Sequence, residues 1–209
     1  MKNLVPAVLA VLAACGGHDA TRGAPTDGSR VLFDGKTLGK WKSTEFGGQG
    51  EVRVQDGKIV VDGGAALSGI HWTGGDVPKV NYELSVEAMK IEGNDIFCGI
   101  AFPYKESFCS FVAGGWGGST VGLSSVDGMN ASENETNSDM DFQKDRWYTF
   151  RLRVTNDKIE AWIDAKQVVN LETKDRKVSI HPAMELSCPL GLATYTTTAA
   201  FRNIRLRPL

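Results

Sequence analysis

The side chains best suited to chemistry lie in a glycine-rich segment in the middle of the chain. Trp116 stands between the pairs Gly114-Gly115 and Gly117-Gly118, and residues 124–136 then carry a dense set of carboxylates and amides. Glycine lets the backbone approach a ligand closely, and an exposed indole offers a flat apolar surface on which a ligand ring can stack. We therefore expect Trp116 to bind a substrate.

The polar residues that follow Trp116 divide by the chemistry each type can perform. Asp127, Glu133 and Glu135 carry carboxylates, which can remove or return a proton, and they are the candidate catalytic groups. Asn130 and Asn134 can both donate and accept hydrogen bonds, and they are the candidate substrate-binding amides. The alternative interpretation is a solvated acidic loop around a Trp that belongs to the core.

A second candidate lies at the end of a strand-like segment that finishes in glycines. His71 can act as a base near neutral pH, and the adjacent Trp72 could shape a binding pocket. The alternative is a strand-end His that is exposed to solvent. His181 precedes Pro182, and we expect it in a loop.

Motifs that would indicate other chemistries are absent from the sequence. The chain has no phosphate-binding P-loop, no serine-hydrolase elbow, no His-Glu-X-X-His segment and no Cys-X-X-Cys pair. EF-hand spacing is also missing, so we predict no metal site, and the sequence does not specify a cofactor.

Alternating apolar and polar residues fill most of the chain and predict strands. Residues 51–55 and 58–61 flank Asp56-Gly57, and residues 148–154 and 159–163 flank Asn156-Asp157, which are two hairpin signals. No twelve-residue window shows a convincing helical period. We predict an all-β fold, a two-sheet antiparallel β-sandwich, as one domain over residues 30–209. Trp41, Trp147 and Trp162 fit core positions in its strands.

The first residues have the order of a lipoprotein signal. Lys2 precedes an apolar run that ends in Leu12-Ala13-Ala14-Cys15, and this run is too short to cross a bilayer. We expect residues 1–14 to be a signal peptide, Cys15 to be lipidated, and residues 15–29 to form a flexible tether. Gly16, in place of Asp, favours the outer membrane of the cell envelope. A chance apolar start with an incidental Cys is the alternative.

Charge and composition argue against nucleic acid as a partner. The formal net charge is −2, and no basic run is interleaved with aromatic residues, which disfavours nucleic-acid binding. We expect a monomer whose only membrane contact is the anchor at Cys15.

Three cysteines remain if Cys15 is lipidated, so at least one of them must be a free thiol. A turn centred on Pro103-Tyr104 would set Cys98 opposite Cys109, close enough for a disulfide. Small buried thiols are the alternative.

Short motifs near the chain ends carry a family resemblance. They are Leu32-Phe33-Asp34-Gly35 with Trp41, the block 146–152, and the closing Phe201-Arg202-Asn203-Ile204. With these motifs the chain resembles the 3-keto-disaccharide hydrolase family, which has a concanavalin A-like jelly-roll fold. The resemblance implies a carbohydrate ligand. It also implies that a base removes the C2 proton of a sugar oxidised at C3, after which the glycosidic leaving group is eliminated and water adds.

The central strands depart from the family pattern. The segment from Gly93 to Phe102 retains Asn94 but lacks the Arg that ends this strand in many members, and Phe108–Phe111 lacks their Glu and Gln. Three hypotheses therefore stay open. The chain is an enzyme that acts on 3-keto glycosides through a different residue set, a non-catalytic carbohydrate-binding lipoprotein, or an envelope interaction domain.

Overall fold

The computed structural model describes residues 28–209, which form two stacked antiparallel sheets. Sheet A has the order β13-β12-β11-β6-β15-β4-β3, and β1 pairs with β15. Its strands are β1 (Arg30–Val31), β3 (Val52–Gln55), β4 (Lys58–Val61), β6 (Tyr82–Glu92), β11 (Trp147–Val154), β12 (Lys158–Ile163), β13 (Lys166–Glu172) and β15 (Thr198–Pro208).

Sheet B has the order β10-β9-β8-β7-β14-β5-β2. Its strands are β2 (Trp41–Ser43), β5 (Leu67–Trp72), β7 (Cys98–Tyr104), β8 (Ser107–Gly114), β9 (Thr120–Ser124), β10 (Ser138–Asp139) and β14 (Gly191–Tyr195). A single turn at Gly115–Gly118 joins β8 to β9, and a 3₁₀ helix at Pro182–Ser187 precedes β14. This arrangement confirms the predicted β-sandwich.

Alternation along the strands explains why the two sheets stack. In β6, every second residue from Tyr82 to Ala88 is buried, and in β11 every second residue from Tyr148 to Val154 is buried. Successive side chains of a strand point to opposite faces, so one face of each strand joins the core between the sheets. Both predicted hairpins are present, with Val54 opposite Ile59 and Val154 opposite Ile159.

Sheet A turns a charged face to solvent. Trp147 and Trp162 lie there half-buried, with Arg202 4.0 Å from the Trp147 ring and Arg151 3.9 Å from the Trp162 ring. The prediction that both are core residues is therefore wrong, because guanidinium groups cover them instead of the opposite sheet. Trp41, by contrast, is fully buried.

The predicted opposition of Cys98 and Cys109 is wrong. Cys98 pairs with Ala113, and Cys109 pairs with Phe102, because the hairpin turns at Lys105 and not at Pro103-Tyr104. Both thiols are buried and free, and burial raises the pKa of Cys109 to about 12. Cys188 is also free, and burial raises its pKa to about 11.

The predicted signal peptide, the lipidated Cys15 and nearly all of the tether lie outside the described residues, so these features stay predictions. Within residues 28–209, no helix is long and apolar enough to cross a membrane.

Candidate functional site

A pocket with a volume of about 620 Å³ opens on the outer face of sheet B. Ile100 and Leu192 point into the main core, so their strand neighbours Ala101 and Ala193 point outward. Small outward side chains leave room above the sheet. Met184 of the 3₁₀ helix covers part of this face and forms a second, smaller core with them.

Trp116 stands at the rim of the pocket with half of its surface exposed. Its backbone is left-handed, with φ 49° and ψ 50°, and Gly114 and Gly117 on either side also have positive φ. Glycine adopts this conformation at little cost, so the flanking glycines make possible a turn that holds the indole outward. The prediction of an exposed Trp framed by glycines is confirmed, and its role in binding stays a prediction.

Asp95 supplies the carboxylate of the pocket. Its Oδ1 accepts a 2.8 Å hydrogen bond from the backbone N–H of Ile96, and its own N–H donates to the hydroxyl of Thr197. Within the described chain, Oδ2 accepts no hydrogen bond, so one oxygen stays available to a ligand. The side chain is therefore both held in place and able to accept a proton.

His181 lies on the pocket wall at the start of the 3₁₀ helix. Its Nδ1 accepts a 3.2 Å hydrogen bond from the backbone N–H of Ala183. A ring nitrogen that accepts carries no proton, so the neutral imidazole bears its proton on Nε2. His181 can therefore donate a hydrogen bond to a ligand. It lies in a loop, as the sequence predicted, and it also lines the pocket.

Two of the predicted catalytic residues, Asp127 and Glu135, form an ion-pair cluster outside the pocket. Asp127 Oδ2 lies 2.7 Å from Arg176 Nε, and Arg176 Nη2 also pairs with Glu135. Asp127 Oδ1 accepts a 2.7 Å hydrogen bond from the N–H of Lys177. These contacts fasten the loop after β9 to the segment after β13, and neither carboxylate lines the pocket.

The buried amide of Asn134 organises the same loop. Its Nδ2 donates to the carbonyls of Leu123, Met129 and Asn130, and its Oδ1 accepts from Thr136. Glu133 is exposed and accepts a 3.2 Å hydrogen bond from the backbone N–H of Asn130. Asn130, Glu133 and Asn134 are absent from the pocket wall, and their predicted roles stay untested.

His71 and Trp72 point to opposite faces of β5. The half-buried His71 has its Nδ1 3.0 Å from the hydroxyl oxygen of Thr44. Trp72 packs in the core edge-on against Trp41, with ring centroids 5.2 Å apart. Neither residue lines the pocket. Of the predicted residues, the structure therefore places only Trp116 there.

Sequence reasoning missed Asp95 and His181 as site residues. Asp95 directly follows Asn94, the residue that this segment retains from the family pattern, and that position was a usable signal. His181 had no local signal, because only the packing of the 3₁₀ helix on sheet B brings it to the pocket.

No group of three or more His, Cys, Asp or Glu side chains among residues 28–209 is arranged to hold a metal ion.

Comparison with known proteins supplies the family. Residues 28–207 match a family model described as the 3-keto-alpha-glucoside-1,2-lyase-like domain. No curated protein is significantly similar to the chain.

Several solved structures share the fold at low sequence identity. The Crh5 transglycosylase in complex with NAG has a TM-score of 0.59 and 13% identity, covering 87% of this chain and 84% of that chain. The non-specific endo-beta-1,3(4)-glucanase SCLam has a TM-score of 0.58 and 11% identity, covering 87% and 91%. The carbohydrate-binding module CBM66 from Bacillus subtilis has a TM-score of 0.53 and 12% identity, covering 80% and 95%. At such identities the likeness shows the fold alone.

Proposed function

The chain belongs to the 3-keto-alpha-glucoside-1,2-lyase-like domain family, and from this premise we propose that it cleaves the glycosidic bond of 3-keto sugars in the pocket on sheet B. One observation carries the proposal. The same pocket holds an exposed aromatic surface, a carboxylate with a free oxygen and an imidazole donor, supplied by Trp116, Asp95 and His181.

A single carboxylate is sufficient for this chemistry. Ordinary glycosidases flank the scissile bond with two carboxyl groups, whereas Asp95 is the only carboxylate among the described residues of the pocket wall. A ketone at C3 acidifies the proton on C2, so one base can begin the reaction.

In the proposed step, Asp95 Oδ2 takes the C2 proton and the electron pair passes into an enolate with its charge on the C3 oxygen. The enolate then collapses, a double bond forms between C1 and C2, and the bond from C1 to the glycosidic oxygen breaks. The leaving oxygen keeps that electron pair and takes the proton back from Asp95. Water then adds across the double bond, with its oxygen on C1 and a proton on C2.

The remaining pocket residues fit supporting roles. Nε2–H of His181 can donate a hydrogen bond to the C3 oxygen, where negative charge develops in the enolate. Trp116 can stack against the sugar ring. The catalytic roles predicted for His71, Asp127, Glu133 and Glu135 have less support, since none of them lines this pocket.

A non-catalytic carbohydrate-binding function is the second candidate. Its support is the mostly apolar wall of the pocket, which offers few groups for proton transfer, and the shared fold with a carbohydrate-binding module.

A turnover assay distinguishes the proposed enzyme from a non-catalytic carbohydrate-binding protein. We expect the wild type to release alcohol from 3-keto-glucosides and to leave the unmodified glucosides intact, and Asp95→Asn to bind the same 3-keto-glucosides without releasing alcohol. Calorimetric binding without any turnover by the wild type would support the carbohydrate-binding function and contradict the enzyme.

We further propose that the domain is held in the cell envelope by a lipid at Cys15. The support is the order of charge, apolar run and small residues before this cysteine. Labelling with a radioactive fatty acid should mark the wild type and not Cys15→Ser. An unlabelled wild type would contradict the anchor.

A further inference from the structure

The pocket wall is mostly apolar, and His181 and two serines lie on one side of it. Ser110 of β8 and Ser124 of β9 are paired neighbours at one side of sheet B, and the Ser110 hydroxyl donates to the Ser124 carbonyl. The backbone of Ser125 exchanges hydrogen bonds with Ser179, which places the segment leading to His181 beside β9. Both serine side chains are buried, so on this side His181 offers a polar group to a ligand beside the apolar surfaces of Trp116 and Val112.

The opposite side carries apolar side chains. Leu67 of β5 and Tyr195 at the end of β14 line it, and Phe46 packs there against the small core that contains Leu67 and Met184. Leu186 and Tyr195 are 58% and 41% exposed, although a large apolar side chain gains free energy when it leaves water. Leu186 and Tyr195 thus form an apolar wall that nothing in the described chain covers, whereas Leu67, which pairs with Tyr195, is buried.

The order of strands sets the distance between the two sides. From β8 to β5 the sheet passes through β7 and β14, which is three inter-strand steps of roughly 4.8 Å, or about 14 Å in all. This span fits a sugar ring linked to a second ring. The neighbours of Asp95 bond to both sides, because Asn94 donates to the carbonyl of Gly117 and Ile96 accepts from the N–H of Tyr195. Asp95 therefore lies between Trp116 and Tyr195.

We propose that the substrate is a glycoside whose leaving group is an apolar, aromatic alcohol, with the sugar at the β8–β9 side and the aromatic group against Leu186 and Tyr195. A disaccharide would place its second sugar on this wall, where Leu186 offers no hydrogen bond and Tyr195 offers only its hydroxyl. Most hydroxyl groups of that sugar would therefore lose water without finding partners. The apolar wall therefore selects against disaccharides. This inference rests on the proposed function and adds the class of leaving group.

The test compares matched ligands by calorimetry. The ligands are 4-nitrophenyl α- and β-glucoside and the corresponding disaccharides maltose and cellobiose, each also prepared in its 3-keto form and measured with Asp95→Asn to prevent turnover. We expect the aryl glucoside anomer that binds more tightly to have an affinity at least roughly tenfold higher than that of the matched disaccharide. The reason is that its aromatic ring buries apolar surface against the wall.

Single substitutions test whether the apolar wall causes the preference for the aryl ligand. Leu186→Asn should remove most of the advantage of the aryl ligand, whereas Leu209→Asn should retain it, since Leu209 is 49% exposed and lies outside the pocket wall. Equal or tighter disaccharide binding by the parent protein would overturn the inference, as would absence of binding to every ligand. An aryl preference in a protein without turnover would support the inference while contradicting the proposed enzyme.

Discussion

Asn94 Nδ2 donates a 2.8 Å hydrogen bond to the carbonyl oxygen of Gly117, and this bond joins two loops of the candidate site. Asp95 follows Asn94 directly, and Trp116 directly precedes Gly117, so the contact ties the carboxylate to the aromatic surface. A Cβ on Gly118 would meet Asn94 Oδ1 at 2.5 Å, which shows how closely the loops approach. The spacing of acid and indole is therefore set by a contact between residues that are distant in sequence.

Loss of the Trp116 indole should weaken ligand binding and leave folding intact. The side chain is half exposed, so its removal leaves no large cavity in the core. We expect Trp116→Ala to reduce glycoside affinity by about 1–3 kcal/mol, the contribution of one large aromatic contact, with little change in melting temperature. Calorimetry and thermal unfolding measure the two effects.

Trp147→Ala is the matched control, because it removes an indole from the outer face of sheet A. Its affinity should equal that of the wild type. Unchanged affinity in Trp116→Ala would move the binding site elsewhere.

Replacing Asp95 and Glu133 one at a time decides which carboxylate transfers the proton. Asp95→Asn should lower turnover by about 10²–10⁴-fold with little change in affinity, as expected for loss of a general base. Glu133→Gln should retain turnover if the pocket is the site, because Glu133 does not line it. Steady-state kinetics with a 3-keto-glucoside provides the measurement. The opposite pattern would favour the catalytic role that the sequence predicted for Glu133.

Asn134→Ala should destabilise the fold. Its buried amide donates to the carbonyl of Leu123 and accepts from the backbone N–H of Thr136, and both groups would lose this partner. Buried groups left without partners are costly, so we expect a loss of about 1–3 kcal/mol in the free energy of unfolding. Urea denaturation measures this loss.

Asn130→Ala tests the same loop as a control, because the Asn130 side chain makes no hydrogen bond within the described chain. It should retain stability. An Asn134→Ala protein of normal stability and reduced affinity would instead support substrate binding by Asn134.

Stability should fall in acid through Glu83. Burial acts to raise the pKa of this carboxyl group, but hydrogen bonds from Arg207 and Arg153 and the charge of Arg151 lower it overall. A pKa that is lower in the folded state means that the stabilisation is complete above the unfolded value. It is then lost as the pH falls through the folded value.

The pH dependence can be followed by urea denaturation between about pH 3 and pH 7. The stability difference between wild type and Glu83→Gln should be largest near neutral pH and shrink in acid. Glu106→Gln is the control, since the Glu106 side chain is 90% exposed and its one ion-pair partner among residues 28–209 is Lys79. A constant difference across this range would show that the ionisation of Glu83 does not stabilise the fold.

The sequence by itself determined the sandwich. In β6 and β11 the alternation of apolar and polar residues is regular enough to fix which face is buried, and Asp56-Gly57 and Asn156-Asp157 mark two turns. The family motifs at the chain ends also depend only on local sequence. The hairpin of β7 and β8 was harder to predict, because both strands are almost wholly buried and their sequence carries no alternation to set the register.

Tertiary structure decided most of the candidate site, of which the sequence predicted only Trp116. Asp127 and Glu135 look free in the sequence, yet Arg176, which is remote along the chain, pairs with both of them. Asp95 and His181 show no common motif, and they line one pocket because sheet B and the 3₁₀ helix pack together. Local sequence patterns indicate which side chains of one segment face solvent. The partners of a polar side chain depend on segments that only folding brings near, so the sequence could predict strands but not which carboxylate would remain available.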